Sequence, residues 1–102
     1  MRFFVPREKL VAYLLNPQHP EGGSKARFFM ALGFSPEAPE ALEAALLQNA
    51  AEAQEVGRRP GYLGQGLRGS LRGPRREVFL QSLWYLEGEV ARLVTAYPWR
   101  GR

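Results

Sequence analysis

Residues 67–97 read LRGSLRGPRREVFLQSLWYLEGEVARLVTAY, and apolar and polar side chains alternate along most of this stretch. Alternation with a period of two is typical of a β-strand with one buried and one open face. Turn-forming residues interrupt the pattern twice, at Gly73-Pro74 and at 87–89. The strands predicted around these turns cover about 67–72, 76–86 and 90–97, and together they form an antiparallel β-meander.

The lengths of the two turns determine which side chains share a face of this sheet. A two-residue loop at Gly73-Pro74 pairs Arg72 with Arg75, and a three-residue loop at 87–89 pairs Leu86 with Val90. One predicted face is apolar and contains Leu67, Leu71, Val78, Leu80, Trp84, Leu86, Val90, Val94 and Ala96. The other is polar, basic and aromatic and contains Arg68, Ser70, Arg72, Arg75, Glu77, Gln81, Thr95 and Tyr97, with Phe79, Leu83 and Leu93 among them. This open face is either a ligand surface or an ordinary solvent-facing surface.

Helical periodicity replaces alternation in residues 1–56. Apolar residues at i, i+3 and i+4 predict a helix over about 7–15, which the dipeptide Asn16-Pro17 ends. Ser24 is a candidate N-cap for a second helix that closes at Gly33. A third helix is predicted to start between 36 and 40 and to end near Gly57.

These elements predict an α+β fold in one domain, residues 1–102. About three N-terminal helices, in 1–56, pack on one face of a C-terminal antiparallel meander, in 57–102. A chain of 102 residues rarely divides into two cores. No run reaches the roughly 18 apolar residues of a membrane span, and no charged-then-apolar signal segment opens the chain. The expected location is therefore cytoplasmic, without a membrane partner.

Absent residue types exclude several classes of site. The sequence has no cysteine, no aspartate and a single histidine, His19. Thiolate chemistry and multi-histidine zinc sites are therefore excluded, and a carboxylate-based two-metal site is disfavoured. We expect no metal site and no cofactor. Twelve arginines against two lysines, with eight prolines, are typical of a thermophile with a GC-rich genome.

Positive charge is concentrated in one half of the chain. Residues 1–56 carry five basic and seven acidic side chains, whereas 57–102 carry nine arginines and three glutamates. A basic half on a small protein favours a polyanionic partner, most commonly nucleic acid. The alternative is a set of solvated arginines that serves solubility.

The loop between the first two helices carries candidate chemistry. Gly22-Gly23-Ser24-Lys25 opens a helix, where backbone N–H groups and the helix dipole attract anions and Lys25 adds a full charge. The alternative is that the glycines join two helices and Ser24 caps the second. His19 lies six residues before Lys25, and imidazole is the side chain best suited to take a proton at neutral pH. A lone histidine in a loop is also often incidental.

Four segments together resemble a known group of proteins: YLLNPQHPEGGSKARFF at 13–29, ALGF at 31–34, SLW at 82–84 and RLVTAYP at 92–98. They are similar to a small family of uncharacterised bacterial proteins. That family resembles the ribonuclease domains at the C-termini of polymorphic and contact-dependent toxins. Those domains belong to the grouping that joins barnase, EndoU, certain colicins and RelE. The similarity covers nearly the whole chain.

The resemblance implies helices followed by a curved antiparallel sheet, and a metal-independent ribonuclease site. Such sites combine His, Lys or Arg, a hydroxyl residue and Tyr. By motif position, the implied catalytic residues are His19, Lys25, Thr95 and Tyr97. Ser82 stands where the toxin domains usually have threonine, and is a second-rank substrate-binding candidate. The Arg- and Gly-rich segment 58–66 departs from the family pattern.

The leading hypothesis is therefore an endoribonuclease in which the RNA 2′-OH attacks the adjacent phosphate. His19 is the expected general base, and Lys25 with the helix start stabilises charge on the phosphate. Thr95 and Arg72 bind the phosphate, and Tyr97 stacks a base or orients the leaving group. The remaining expected substrate-binding residues are Gly22, Gly23, Ser24 and Ser82.

Two alternatives remain. One is a non-catalytic nucleic-acid-binding or toxin–antitoxin module, with an inhibitor or antitoxin protein as partner. The other is a protein-interaction domain in which Trp99 and the basic tail contact an acidic partner.

Overall fold

Three helices cover one face of a five-stranded sheet in a computed structural model that describes residues 2–21, 23–57 and 64–99. Helix α1, Arg7–Lys9, continues directly into a π-helical segment, Leu10–Leu14. The other helices are α2, Gly23–Ala31, and α3, Pro39–Glu52. The strands are β1 Arg2–Phe4, β2 Gln54–Gly57, β3 Gly64–Arg72, β4 Glu77–Glu87 and β5 Val90–Pro98. Their order across the sheet is β1-β5-β4-β3-β2. Within the described residues, no helix is long and apolar enough to cross a bilayer.

The α+β class and the meander of β3, β4 and β5 agree with the prediction, but the sheet is mixed rather than purely antiparallel. Strand β1 pairs in parallel with β5, and β2 pairs antiparallel with β3. Neither short strand was predicted. The third helix ends at Glu52 rather than near Gly57, because Gln54–Gly57 pairs with β3 instead of continuing the helix. The predicted loop over 58–66 overlaps β3 from Gly64 onward, and its part at 58–63 lies outside the described residues.

The register differs from the prediction at both turns of the meander. Arg72 pairs with Glu77 rather than Arg75, because the first turn has four residues and is closed by an N–H of Gly73 donated to the carbonyl of Arg76. This shift by two residues leaves the faces unchanged. The second turn has two residues, so Val90 pairs with Glu87 instead of Leu86.

A one-residue shift at the second turn exchanges the faces of the first part of β5. Leu93, predicted on the open face, is buried in the core, whereas Val90, predicted to be buried, is only partly covered. A β-bulge between Leu93 and Thr95, opposite the Leu83–Trp84 step, then restores the predicted register parity. Thr95 and Tyr97 consequently lie on the face of the sheet on which the sequence predicts them.

The core lies between the helices and the covered face of the sheet. Trp84 is fully buried at its centre, and the Phe3 ring packs edge-on against it with ring centroids 5.1 Å apart. The remaining large, fully buried side chains are Val5, Leu10, Leu14, Leu15, Phe29, Leu32, Leu42, Leu46, Leu71, Leu80 and Leu93. They come from both halves of the chain, so helices and sheet form one hydrophobic core.

Gly33 follows α2 and packs against the first turn of the meander, and we expect Gly33→Ala to destabilise the fold. Its φ of +105° is a backbone conformation that is strained in any residue with a side chain. An added Cβ would also lie 2.9 Å from Cβ of Pro74. Backbone strain and overpacking together predict a loss of about 2 kcal/mol in the free energy of unfolding, measured by urea denaturation.

Gly88→Ala is the matched control, since Gly88 has a φ of +62° but no atom within 4 Å of the added Cβ. It carries only the cost of left-handed backbone, about 1 kcal/mol. Equal losses in the two variants would contradict the close contact at Gly33.

Candidate functional site

The candidate site lies along one edge of β5. Strand β1 pairs with β5 only from Val90 to Arg92. Beyond that point, the π-helical segment, the following loop and the start of α2 lie beside β5. This arrangement follows from the chain order, because the segment that leaves β1 at Val5 continues along the same edge. The edge therefore brings helix, loop and strand side chains together.

Tyr13 is the centre of this arrangement. Its hydroxyl lies 3.5 Å from Oγ1 of Thr95, and its ring meets the His19 ring edge-on with centroids 5.0 Å apart. Nζ of Lys9 and Nζ of Lys25 lie 5.1 and 5.8 Å from the centre of the phenol ring. We call these five residues the Tyr13 cluster. Three of the four predicted catalytic residues thus surround one tyrosine.

Tyr97, the fourth predicted catalytic residue, lies in an adjoining cleft of about 300 Å³. The cleft is lined by Ser24, Lys25, Phe28, Tyr97 and Pro98. Lys25 belongs to the Tyr13 cluster and also lines the cleft, so its ammonium group contributes positive charge to both. The structure brings His19, Lys25, Thr95 and Tyr97 to one edge of the sheet.

The loop fixes the His19 ring in a definite orientation. The backbone N–H of Glu21 donates to Nδ1 of His19 at 3.0 Å, and the carbonyl of His19 accepts the N–H of Gly23 at 2.9 Å. When Nδ1 of a neutral imidazole accepts a hydrogen bond, the proton is on Nε2. In this conformation Nε2 is a donor. The predicted general base therefore requires a change in this hydrogen bond before it can accept a proton.

The glycine-rich helix start also differs from the prediction. Helix α2 begins at Gly23, so Ser24 lies in its first turn rather than at the N-cap, and lines the cleft. The N–H of Gly23 is already donated to His19, so it is not available for an anion. A Cβ on Gly23 would lie 2.7 Å from the carbonyl oxygen of Pro17, so this glycine permits close packing of the loop. Gly22 lies outside the described residues.

Arg72 and Ser82 are not brought to this edge. Tyr97 pairs with Gln81, whereas Arg72 pairs with Glu77, four residues or about 13 Å further along β4. Arg72 is exposed there, and its Nε lies 3.4 Å from a carboxylate oxygen of Glu77. Ser82 is fully buried and its hydroxyl accepts the indole N–H of Trp84 at 2.8 Å. That buried position does not fit the predicted substrate contact.

Lys9 and Tyr13 were not predicted as site residues. Both lie on the first predicted helix, and Tyr13 fits the apolar stripe that packs the π-helical segment against the core, so its hydroxyl carried no separate signal. Lys9 precedes Tyr13 by four residues, and residues at i and i+4 lie on one side of a helix. That spacing was the one available signal for the lysine.

A larger groove of about 600 Å³ adjoins the cluster on the other side of Lys9. Its ionisable lining residues include two carboxylates and two cations: Glu8, Glu87, Lys9 and Arg92. Arg92 already pairs with Glu87 at 2.9 Å. Since these charges balance, the groove is a poorer phosphate site than the cleft at Lys25. Among the described residues there is no group of three or more side chains suited to hold a metal ion.

Comparisons with known proteins add the family. Neither the curated proteins nor the solved structures contain a match to this chain. The model of a family described as a domain of unknown function, DUF6883, matches residues 1–100, nearly the full length. The chain therefore belongs to the DUF6883 family.

Proposed function

We propose that this protein binds RNA at the Tyr13 cluster and cleaves its phosphodiester bonds without a metal ion. The observation that carries the proposal is the convergence of an imidazole, two ammonium groups, a phenol and a hydroxyl around Tyr13. These groups come from α1, its π-helical extension, the loop, α2 and β5. Cations and hydroxyl donors at one point are suited to a phosphate and to the charge that develops on it.

The reaction is a transesterification. The RNA 2′-oxygen attacks the adjacent phosphorus, the bond to the 5′-oxygen breaks, and a 2′,3′-cyclic phosphate forms. Lys25 stabilises the negative charge on the phosphorane, and Lys9, 5.1 Å from the centre of the phenol ring, adds a second positive charge. Thr95 donates to a phosphate oxygen, and Tyr97 stacks on a base. Arg72 and Ser82 take no part.

His19 accepts the proton from the 2′-OH and returns it to the 5′-oxygen. For this the ring must give up the hydrogen bond from the N–H of Glu21. A hydrogen bond of this kind contributes about 1 kcal/mol. General acid–base catalysis accelerates a reaction by roughly 10²- to 10⁴-fold, which corresponds to about 3–5 kcal/mol. The cost is therefore smaller than the gain, and the observed orientation is compatible with a resting state.

The resemblance to toxin ribonuclease domains supports the same roles, because His19, Lys25, Thr95 and Tyr97 match the residue types of those sites. Under this proposal the substrate is cellular RNA and the site of action is the cytoplasm. An inhibitor or antitoxin protein is the further partner that the resemblance implies.

A second candidate function is RNA binding without cleavage. The orientation of His19 favours it, since Nδ1 accepts the N–H of Glu21 and the proton of a neutral imidazole is then on Nε2. In that conformation the cluster offers donors and positive charge but no proton acceptor on the imidazole. Such a site binds a phosphate without activating a 2′-OH.

The test is incubation of purified protein with end-labelled RNA, with and without EDTA. We expect cleavage that EDTA leaves unchanged, with products that end in a 2′,3′-cyclic phosphate. Cleavage abolished by EDTA would contradict the metal-independent mechanism. RNA binding that weakens steeply with salt, without any cleavage product, would identify the second candidate function.

A further inference from the structure

Aromatic side chains are gathered on the face of the sheet opposite the helices. In one cross-strand row, Gln81 pairs with Arg68 on β3 and with Tyr97 on β5. In the next row on this face Phe79 lies beside Trp99, whose backbone N–H is donated to the backbone carbonyl of Phe79 at 2.9 Å. These rows lie on the open face, because the alternating residues of β4 are buried against the helices. We call Arg68, Phe79, Tyr97 and Trp99 the outer platform.

Arg68 is held in a fixed position on this platform. Its guanidinium carbon lies 3.6 Å from the centre of the Trp99 ring, and its Nε donates to Oε1 of Gln81 at 2.8 Å. A guanidinium stacked on an indole retains donor groups at its edge. Gln81 is neutral, whereas Arg72 and Arg92 each lie within 4 Å of a glutamate carboxylate. Hydrogen bonding to Gln81 therefore positions Arg68 without neutralising it.

Phe79 exposes 47% of its surface and lies in the cross-strand row next to that of this arginine. An exposed aromatic ring on an open sheet, next to a stacked guanidinium, is the arrangement on which nucleic-acid bases stack. The ring faces of bases are accessible in single-stranded RNA, whereas in a duplex they are covered by neighbouring bases. Stacking is also tolerant of sequence, because every base has an aromatic face.

We propose that the outer platform binds bases of single-stranded RNA that flank the phosphate at the Tyr13 cluster. This inference rests on the proposed function, since it takes RNA as the ligand. Charge favours that occupant, because residues 57–102 contain nine arginines and three glutamates. Continuity favours it as well, because Tyr97 belongs to the platform and also lines the cleft that contains Lys25. One strand of RNA therefore reaches both surfaces.

The experiment measures binding separately from cleavage. A 2′-O-methyl RNA decamer lacks the attacking hydroxyl, so it binds without being cut. Trp99 reports the binding through its fluorescence, because the other tryptophan, Trp84, is fully buried in the core. We expect the decamer to quench Trp99 emission at low salt. We expect Phe79→Ala to bind the decamer about tenfold more weakly, which is the loss expected for one base stacked on an aromatic ring.

Two matched variants make the result specific. Phe79→Leu keeps an apolar side chain but has no ring, and we expect the same tenfold loss. Phe4→Ala removes a phenylalanine that is 50% exposed on β1, outside the platform, and we expect its affinity to stay within twofold of the original protein. Binding that is equal in the Phe79 and Phe4 variants would overturn the platform, and so would an equal Phe79 dependence with duplex RNA.

Cleavage of unmodified RNA is measured in parallel, so that the two proposals fail separately. Binding of the decamer that depends on Phe79, without any cleavage, supports the platform and contradicts the nuclease. Cleavage with no effect of Phe79 on binding contradicts the platform and leaves the nuclease standing. The absence of any binding to the decamer at low salt overturns the platform.

Discussion

Replacing His19 by alanine is expected to lower the turnover number for RNA cleavage by about 100-fold or more. The expectation follows from the position of the ring, which lies edge-on to Tyr13 in the same cluster as the Thr95 hydroxyl and the Lys25 ammonium. His19 is the single histidine of the chain, so no second imidazole can take over the proton. The affinity for non-cleavable 2′-O-methyl RNA should change much less, because both lysines remain.

His19→Asn distinguishes proton transfer from loop structure. Oδ1 of asparagine is bonded to Cγ, as Nδ1 of His19 is, so it can accept the N–H of Glu21, but the amide cannot relay a proton. We therefore expect His19→Asn to retain the RNA affinity and thermal stability of the original protein while cleaving as slowly as His19→Ala. Cleavage within threefold of the original rate in both variants would remove His19 from the mechanism.

The sequence predicted those parts of the fold that depend on local pattern. The helix that contains Tyr13 and the three long strands each have enough residues to display a period. Strands β1 and β2 have three and four residues, too few to display a period, and the partner of β1 lies at the other end of the chain. The register of β5 depended on a two-residue turn at Gly88, where a three-residue turn was predicted, and on one bulge.

The candidate site could be predicted only in part for a related reason. The 13–29 motif identified His19 and Lys25, and the 92–98 motif identified Thr95 and Tyr97. Their meeting point depends on how α1 leaves β1 along the edge of β5, which no periodicity encodes. Tyr13 fits an apolar stripe, so the pattern gives no separate signal for its hydroxyl. Arg72 is predicted to bind phosphate as part of the open sheet face with Arg75 opposite it, whereas in the structure it pairs with Glu77.

Trp84 is the side chain whose truncation should cost the most stability. It is fully buried, packs against Phe3, and donates its indole N–H to Ser82 at 2.8 Å. Trp84→Ala is expected to lower the free energy of unfolding by about 3–5 kcal/mol. The free energy of unfolding of a small domain is only about 5–15 kcal/mol. We therefore expect Trp84→Ala to have a much lower melting temperature than the original protein. Thermal unfolding followed by circular dichroism measures the effect.

A double-mutant cycle with Trp84→Phe and Ser82→Ala then separates packing from hydrogen bonding. Ser82→Ala alone leaves a buried indole N–H without its acceptor, which costs about 1–3 kcal/mol. Adding Trp84→Phe removes that donor, so the double variant should be more stable than the sum of the two single losses predicts. If the Ser82 hydroxyl only accepts the indole N–H in the core, the folded fraction of Ser82→Ala should bind RNA with the original affinity and cleave it at the original rate. A tenfold loss of cleavage in folded Ser82→Ala would instead mean that the hydroxyl contacts substrate, contrary to its buried position.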